Sequence, residues 1–457
     1  MRGLGKGPRA QAMVVLGQFE KSNQNVAELI DRYLHGPDHR AQAVDIIYGV
    51  IRNRKAIDNL IALVSGRALN RINRRVRNIL RIGVYELVYC SAQAAYAIVN
   101  EAVNLAKAAG SQKSSGFVNA ILRKTADSIV NKQALLKDAD RQKTLPVRPG
   151  LGCEFSFNVV FSDEGAQAEY LSEVFSLPVW LTQAWVEDFG FARSVVICFG
   201  SNRRPSIYIR ANGLKISTEE LYEKFAAGGV DSHLLKESQM IRLKGAGNIS
   251  QLPGFSEGEF TVQDITASKA VRLLSPRQGA RVLDLCAAPG TKTSQIAEMM
   301  GDRGTVIATD IDSERLKKVE QNCQRLRLSS VKTAAYDEIE EIAKRDGLFD
   351  AILIDAPCSN SGVMARRCEV RYRINPDKLT EIVETQQSLL RKAVSLVRRG
   401  GQICYSTCSI CTVENSEVVQ SLLAEKQDFQ LVKELLTFPS AETNDCDGGY
   451  AAVLLKI

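Results

Sequence analysis

Arg281-Val-Leu-Asp-Leu-Cys-Ala-Ala-Pro-Gly-Thr-Lys-Thr293 is a short apolar run that ends in a turn of small residues and leads into a helical stretch, Thr293–Met300. A turn made of Cys286, Ala287, Ala288, Pro289, Gly290, Thr291 and Lys292 lets backbone amides approach a ligand closely at a helix start. It is not a G-x-G-x-x-G dinucleotide fingerprint. Nor is it a phosphate-binding P-loop, because Thr291 rather than Gly precedes Lys292 and Cys286 stands where the first glycine would be.

Three more apolar runs follow, Thr305–Asp310, Phe349–Asp355 and Gly401–Tyr405, with helical stretches at Glu314–Leu326 and Pro376–Val397 between them. Strands alternating with helices predict βαβ units and a doubly wound, Rossmann-like parallel sheet. Ligands of such sheets bind outside the carboxyl ends of the strands, so the tails of these runs are where function is sought. The second run ends at Asp310, placed to grip the ribose hydroxyls of an adenosine-bearing cofactor. Turn and carboxylate together point to a nucleoside cofactor that needs no pyrophosphate, which S-adenosyl-L-methionine fits better than NAD. Asp337, after a third strand at Val331–Ala335, is read either as lining the adenosine pocket or as a solvated loop acid.

The fourth strand ends Asp355-Ala-Pro-Cys358-Ser359 and the next Tyr405-Ser-Thr-Cys408-Ser409. A free cysteine is ordinarily a small buried hydrophobe. Two at the active edge of one sheet point instead to thiolate chemistry, which needs no histidine partner. Cys404-x3-Cys408-x2-Cys411 also matches the spacing by which radical enzymes hold an iron–sulfur cluster. Against that reading, Cys404 falls inside the expected strand, and spacing alone is weak.

Upstream, residues 10–125 read as helical, with Gly36-Pro37-Asp38 separating the first helix from the next. Between Ile51 and Gly83, nine basic residues (Arg52, Arg54, Lys55, Arg67, Arg71, Arg74, Arg75, Arg77 and Arg81) face a single acid, Asp58. Such a run is either a solvated helix face or a phosphate-contacting surface. Proline and glycine cluster at Pro146, Pro149, Gly150 and Gly152, marking a linker or insertion. Mixed helical and strand-like stretches from Tyr170 to Gly258, among them Ser206–Arg210, fit a small α/β module. The expected organisation is a helical domain over 1–140, a linker or insertion over 141–168, the module over 169–258 and the Rossmann-like domain over 259–457.

Composition narrows the classes. A chain of 457 residues should hold roughly three domains. Hydrophobic residues at 45% and charged residues at 24% are the balance of a soluble globular protein. No run reaches the roughly 18 apolar residues of a membrane helix, and the basic, glycine-rich amino terminus lacks the apolar core of a secretory signal. Eleven cysteines are too sparse for a disulfide scaffold, and an intracellular protein keeps them reduced. His35, His39 and His233 leave little material for zinc sites or a serine–histidine triad. The net charge of +7 suggests a polyanionic partner.

Taken together, Asp284–Thr293, Ile354–Ser359 and Tyr405–Ser409 resemble, in order, the signatures of the NOL1/NOP2/Sun family of RNA cytosine-5 methyltransferases, and Asp447–Leu455 resembles its closing strands. Ala94–Val103 and Gly116–Arg123 resemble a NusB-like RNA-binding domain, and the region around Pro178-Val-Trp-Leu181 a small RNA-binding module. Both are carried by the bacterial family member that methylates 16S ribosomal RNA. Thr291 departs from the family's usual Gly, and Arg366-Arg367-Cys368-Glu369 lacks the proline of the matching Arg-Arg-x-Pro stretch.

The resemblance implies S-adenosylmethionine as cofactor and transfer to carbon 5 of cytosine. It makes Cys408 the nucleophile at carbon 6, Cys358 the residue that assists its release, and Asp355 the group that bonds the ring. It further implies 16S ribosomal RNA as partner, with transfer RNA as the alternative, and a cytoplasmic monomer without metal. A non-catalytic RNA-binding or assembly factor that keeps the fold is the competing class.

Overall fold

The computed structural model describes residues 7–34, 36, 39–90, 93–109, 112–163, 165–245 and 248–457. His35, Pro37, Asp38 and the first six residues of the basic amino terminus lie outside the described residues. The chain divides into two compact units. One holds the residues up to Arg203 together with Met364–Arg373, the other Arg204–Val363 together with Ile374–Ile457.

The first unit is built on helices Pro8–Phe19, Val26–Tyr33, Arg40–Arg52, Arg54–Ser65, Arg74–Tyr89, Ala95–Ala108 and Gln112–Ser128. Arg74–Tyr89 shows how the sequence dictates them. Asn73 caps it by accepting the Arg75 N–H, and Val76, Ile79, Leu80, Leu87 and Val88 recur at helical spacing and are buried.

The basic run is not one solvated face. Arg81 is buried and binds Asp58 through two nitrogens at 2.6 and 2.7 Å, and it also donates to Glu20 and to Asn78, while Arg77 binds Glu20 at 3.2 Å. Arg52 is buried and donates to the Ala365 carbonyl. Arg67, Arg71, Arg74 and Arg75 remain exposed.

Where a linker or insertion is expected, the chain forms a three-stranded antiparallel sheet of Ile129–Leu135, Thr144–Arg148 and Leu151–Phe155, the last strand central. Pro146 and Gly152 lie within strands, and Pro149 and Gly150 form the turn that joins two of them. Helices Gln167–Phe175 and Val179–Asn202 also pack within this unit rather than with the strands that follow. Ser176 accepts the Ala56 N–H at 3.1 Å, and Lys55 donates to Ser172 at 2.7 Å. Residues Met364–Arg373 are held in the same unit, where the buried Arg371 donates to the carbonyls of Arg52, Phe175 and Ser201 and to Asn202.

The second unit opens with an antiparallel four-stranded sheet in the order Ser232–Leu235, Met240–Leu243, Ile207–Ala211, Phe260–Val262, with helix Thr218–Ala227 started by a Ser217–Glu220 capping box. The main sheet has seven strands: β1 Arg281–Asp284, β2 Thr305–Ala308, β3 Val331–Thr333, β4 Phe349–Asp355, β5 Val397–Thr407, β6 Phe429–Thr437 and β7 Gly449–Lys456. Their spatial order is β3-β2-β1-β4-β5-β7-β6. The first five run parallel, and β7 pairs antiparallel with β5 and β6. Strands buried on both faces read as continuous apolar runs, as in Ala351-Ile-Leu-Ile354. Strand order reverses between β1 and β4, the place where such sheets bind ligands.

Candidate active site

The turn after β1 is tight because Gly290, at φ 99°, donates its N–H to the Ala287 carbonyl at 2.7 Å and then caps helix Thr291–Met299. A Cβ at Gly290 would press on Val319 from 3.1 Å in a backbone region that side chains avoid. The Ala288 N–H donates to Asp310 Oδ2 at 3.1 Å and the Asp312 N–H to Oδ1 at 3.0 Å, so the turn after β1 and the end of β2 are locked together. Each Asp310 oxygen keeps a lone pair for a hydroxyl donor.

Asp284 is a candidate site residue that the sequence does not single out. It is buried at the end of β1, its Oδ2 accepts the Thr293 hydroxyl at 2.7 Å, and its Oδ1 has no partner among the described residues. Burial pushes its carboxyl up to about 7, against the Thr293 hydrogen bond and with the help of Asp355 and Asp310. The Thr309 hydroxyl beside Asp310 is likewise buried and unpartnered. Buried polar atoms without partners, next to open backbone at a helix start, suit a polar nucleoside ligand. The residues therefore fit S-adenosylmethionine, and Asp310, Asp284 and the 286–292 turn are the groups that could hold it. Cys286 packs against the core, and burial raises its thiol. Asp337 is exposed in the turn beyond β3, and the structure does not join it to this cluster.

Because β1 and β4 are neighbours, their tails meet. Lys292 Nζ lies 2.5 Å from Asp355 Oδ2, and the Ser406 hydroxyl donates to Asp355 Oδ1 at 3.1 Å. Burial works to lower the Lys292 ammonium, but Asp355, Cys408 and Asp284 outweigh it and hold the proton on. Asp355 thus carries a fixed cation on one oxygen.

β4 and β5 pair with Asp355 opposite Ser406, which brings the two loops beyond them side by side. Cys358 Sγ and Cys408 Sγ are 3.0 Å apart, although fifty positions separate them in the chain. Cys408 Sγ also lies 3.2 Å from Asn360 Oδ1, and Asn360 Nδ2 donates to the Cys358 carbonyl at 2.9 Å. The hydrogen bond with Cys408, then burial, push the Cys358 thiol well up. The Gly362 N–H donates to the Cys408 carbonyl at 3.0 Å, and a Cβ at Gly362 would meet the Gly448 backbone at 2.6 Å, so glycine is what lets these loops approach. A cavity lined by Lys292, Ser406, Cys408, Asp264, Thr266 and Asp447 opens beside Cys408.

The iron–sulfur spacing dissolves in three dimensions. Cys404 packs in the sheet core with its Sγ toward the Ala270 carbonyl, Cys411 Sγ lies beside the Ser361 hydroxyl, and Cys408 faces Cys358. Among the described residues, no group of three His, Cys, Asp or Glu is placed to hold a metal ion.

Sheet order, a nucleoside site at β1 and β2, and reactive groups at β4 and β5 define an S-adenosylmethionine-dependent methyltransferase. Comparison with known proteins agrees. Residues 271–449 match the model "16S rRNA methyltransferase RsmB/F", 6–127 the NusB family and 177–250 the RsmF/B-like ferredoxin-like domain. The chain is 31% identical over 98% of its length to a protein of Synechocystis named probable ribosomal RNA small subunit methyltransferase B, covering 95% of that protein. It is 29% identical over 92% of its length to the Bacillus subtilis protein of the same name, covering 88% of it. The crystal structure of PH0851 superposes with a TM-score of 0.73 over 99% of this chain and 98% of that one, at 24% identity, a likeness of fold. The chain belongs to the RsmB/F family of 16S ribosomal RNA methyltransferases.

Proposed function

We propose that this chain methylates carbon 5 of a cytosine in 16S ribosomal RNA, with Cys408 as nucleophile. The observation that carries the reading is the pair of sulfurs 3.0 Å apart at the carboxyl ends of β4 and β5, beside the Lys292–Asp355 ion pair. Carbon 5 of cytosine is a poor nucleophile. Bonding of the Cys408 sulfur to carbon 6 pushes electron density onto carbon 5 and splits one hard step into easier ones. S-adenosylmethionine, when bound, supplies the electrophilic methyl group. Asp355, held by Lys292 and Ser406, accepts a hydrogen bond from the ring amino group or, when protonated, donates one to N3; a proton on one side of that bond steadies the charge that develops on the ring. Cys358 then assists removal of the carbon 5 proton, after which the carbon 6–sulfur bond breaks and Cys408 leaves.

Attack on carbon 6 requires the base out of its stack, so the substrate nucleotide is single-stranded or extruded. Four exposed arginines in the helical unit, Arg67, Arg71, Arg74 and Arg75, are suited to RNA phosphates. Among the described residues no helix is long and apolar enough to cross a membrane. We take the chain to act as a monomer in the cytoplasm, where ribosomal RNA resides. The family match to 16S ribosomal RNA methyltransferases favours that substrate over transfer RNA, and two cysteines held in reach of each other favour catalysis over a scaffolding role. Mapping 5-methylcytosine across total RNA, with and without the gene, tests the reading. Loss of one mark in 16S ribosomal RNA is expected, and an unchanged 16S map with a lost transfer RNA mark would reassign the substrate.

A further inference from the structure

Glu414 ends the short helical turn Thr412–Glu414 and is wholly buried. A carboxylate in that position is costly unless donors surround it. Its donors come from both cysteine loops. Oε1 accepts the Ser359 N–H at 2.7 Å and a Gln386 amide N–H at 3.2 Å, while Oε2 accepts the hydroxyls of Ser359 and Ser409. Ser359 follows Cys358 and Ser409 follows Cys408, so one side chain grips the residue next to each sulfur.

The turn that carries Glu414 is itself pinned to β5. The Tyr405 hydroxyl donates to the Glu414 carbonyl at 2.6 Å, the Thr407 hydroxyl donates to Asn415 Oδ1 at 2.6 Å, and Asn415 Nδ2 donates to the Ser409 carbonyl at 3.0 Å. The position needs an acid. Four donors converge on two oxygens, whereas a glutamine amide offers one acceptor oxygen and turns N–H groups toward hydroxyls or an amide already committed to donating.

We propose that Glu414 is a positioning residue whose carboxylate, by bridging Ser359 and Ser409, sets the geometry of the Cys358 and Cys408 sulfurs. It rests on the roles read above for those two cysteines. Glu414 touches neither sulfur through a hydrogen bond and exchanges no proton in the reaction. It acts only through where the loops stand. Its charge is also one of the smaller influences that raise the Cys358 thiol.

The test uses the full chain and Glu414→Gln. Diamide joins neighbouring thiols: each sulfur loses a hydrogen, the sulfurs bond, and the azo group of diamide is reduced to the hydrazine. Mass spectrometry of the Cys358–Cys408 peptide pair gives the rate without any RNA. Displacing a reacting pair by about 1 Å costs on the order of 100-fold, so Glu414→Gln is expected to cross-link and to transfer methyl in a single turnover that much more slowly. S-adenosylmethionine affinity is expected to hold while the melting temperature falls, because buried donors lose an acceptor, and an intact cofactor site separates positioning from general bracing. Ser409→Ala keeps the carboxylate and cuts one arm, and should fall between the two. It carries the test alone if Glu414→Gln does not fold. A folded Glu414→Gln chain that cross-links at the native rate overturns the proposal. Fast cross-linking in the native chain that Glu414→Gln slows, with no methyl transfer to RNA by either, supports the clamp and overturns the cytosine chemistry instead.

Discussion

The basic segment Arg52–Arg81 and the loops after β4 and β5 were both singled out by residue type, and the fold treats them differently. In the segment, arginines a few positions apart have unlike fates. Arg81 is buried between Asp58 and Glu20, Arg52 is buried against a backbone carbonyl, and Arg74 and Arg75 face solvent. In the loops, Cys358 and Cys408 both lie where a strand ends, and they meet. A long flexible side chain takes whatever partner the packing of other helices offers. A short side chain at a strand end goes where the backbone puts it. Strand-end position is therefore a better guide to where the cysteines meet than charge is to where the arginines go.

The comparison breaks first at Cys408. Cys408→Ala should reduce methyl transfer by roughly 10⁴-fold or more, the scale of losing a nucleophile, measured with labelled cofactor and 16S ribosomal RNA. Near-normal turnover would mean that the strand-end position does not mark the nucleophile. Cys358→Ala should leave a protein–RNA adduct that survives denaturing gels when cofactor is present, and that adduct should vanish in the double variant with Cys408→Ala. If no adduct forms while RNA is bound, Cys358 has no part in release.

On the other side, Arg81→Ala leaves Glu20 and Asp58 without their buried cation, and should cost about 3–5 kcal/mol in denaturant unfolding. A change near zero would put Arg81 back among the solvated arginines.

Asp284 gives a smaller effect with a definite sign. Its folded value of about 7 lies above the ordinary 3.8, so between those values the folded chain holds a proton that the unfolded chain has released. Stability without cofactor should therefore fall as pH rises through that window, and Asp284→Asn should flatten the fall in melting temperature. The smallest effect belongs to Arg74→Ala with Arg75→Ala. Stability should stay within about 0.5 kcal/mol, while the slope of RNA affinity against salt drops by about 1 per residue removed.

Much of the site was legible because its signals are local. The small-residue turn at 286–292, Asp310 one strand later and a cysteine past each of two further strands are read from neighbours in the chain. Proline and glycine implied a linker or an insertion over 141–168, and the chain forms two strands there, Thr144–Arg148 and Leu151–Phe155, joined at Pro149-Gly150. Local reading also fell short at Asp284, whose importance lies in an unpartnered oxygen created by burial.

By itself the sequence determined the alternation of strand and helix, the strand-end placement of each reactive side chain and the likeness to an RNA methyltransferase family, because hydrophobic period and turn chemistry act over a few residues. Only the tertiary structure decided that β1 and β4 are neighbours, so that Lys292 meets Asp355, that two sulfurs fifty positions apart face each other, and that Glu414 binds both of their loops. Those are facts of strand order and of a buried charge finding donors. Both depend on packing between segments that carry no mark of each other in the chain.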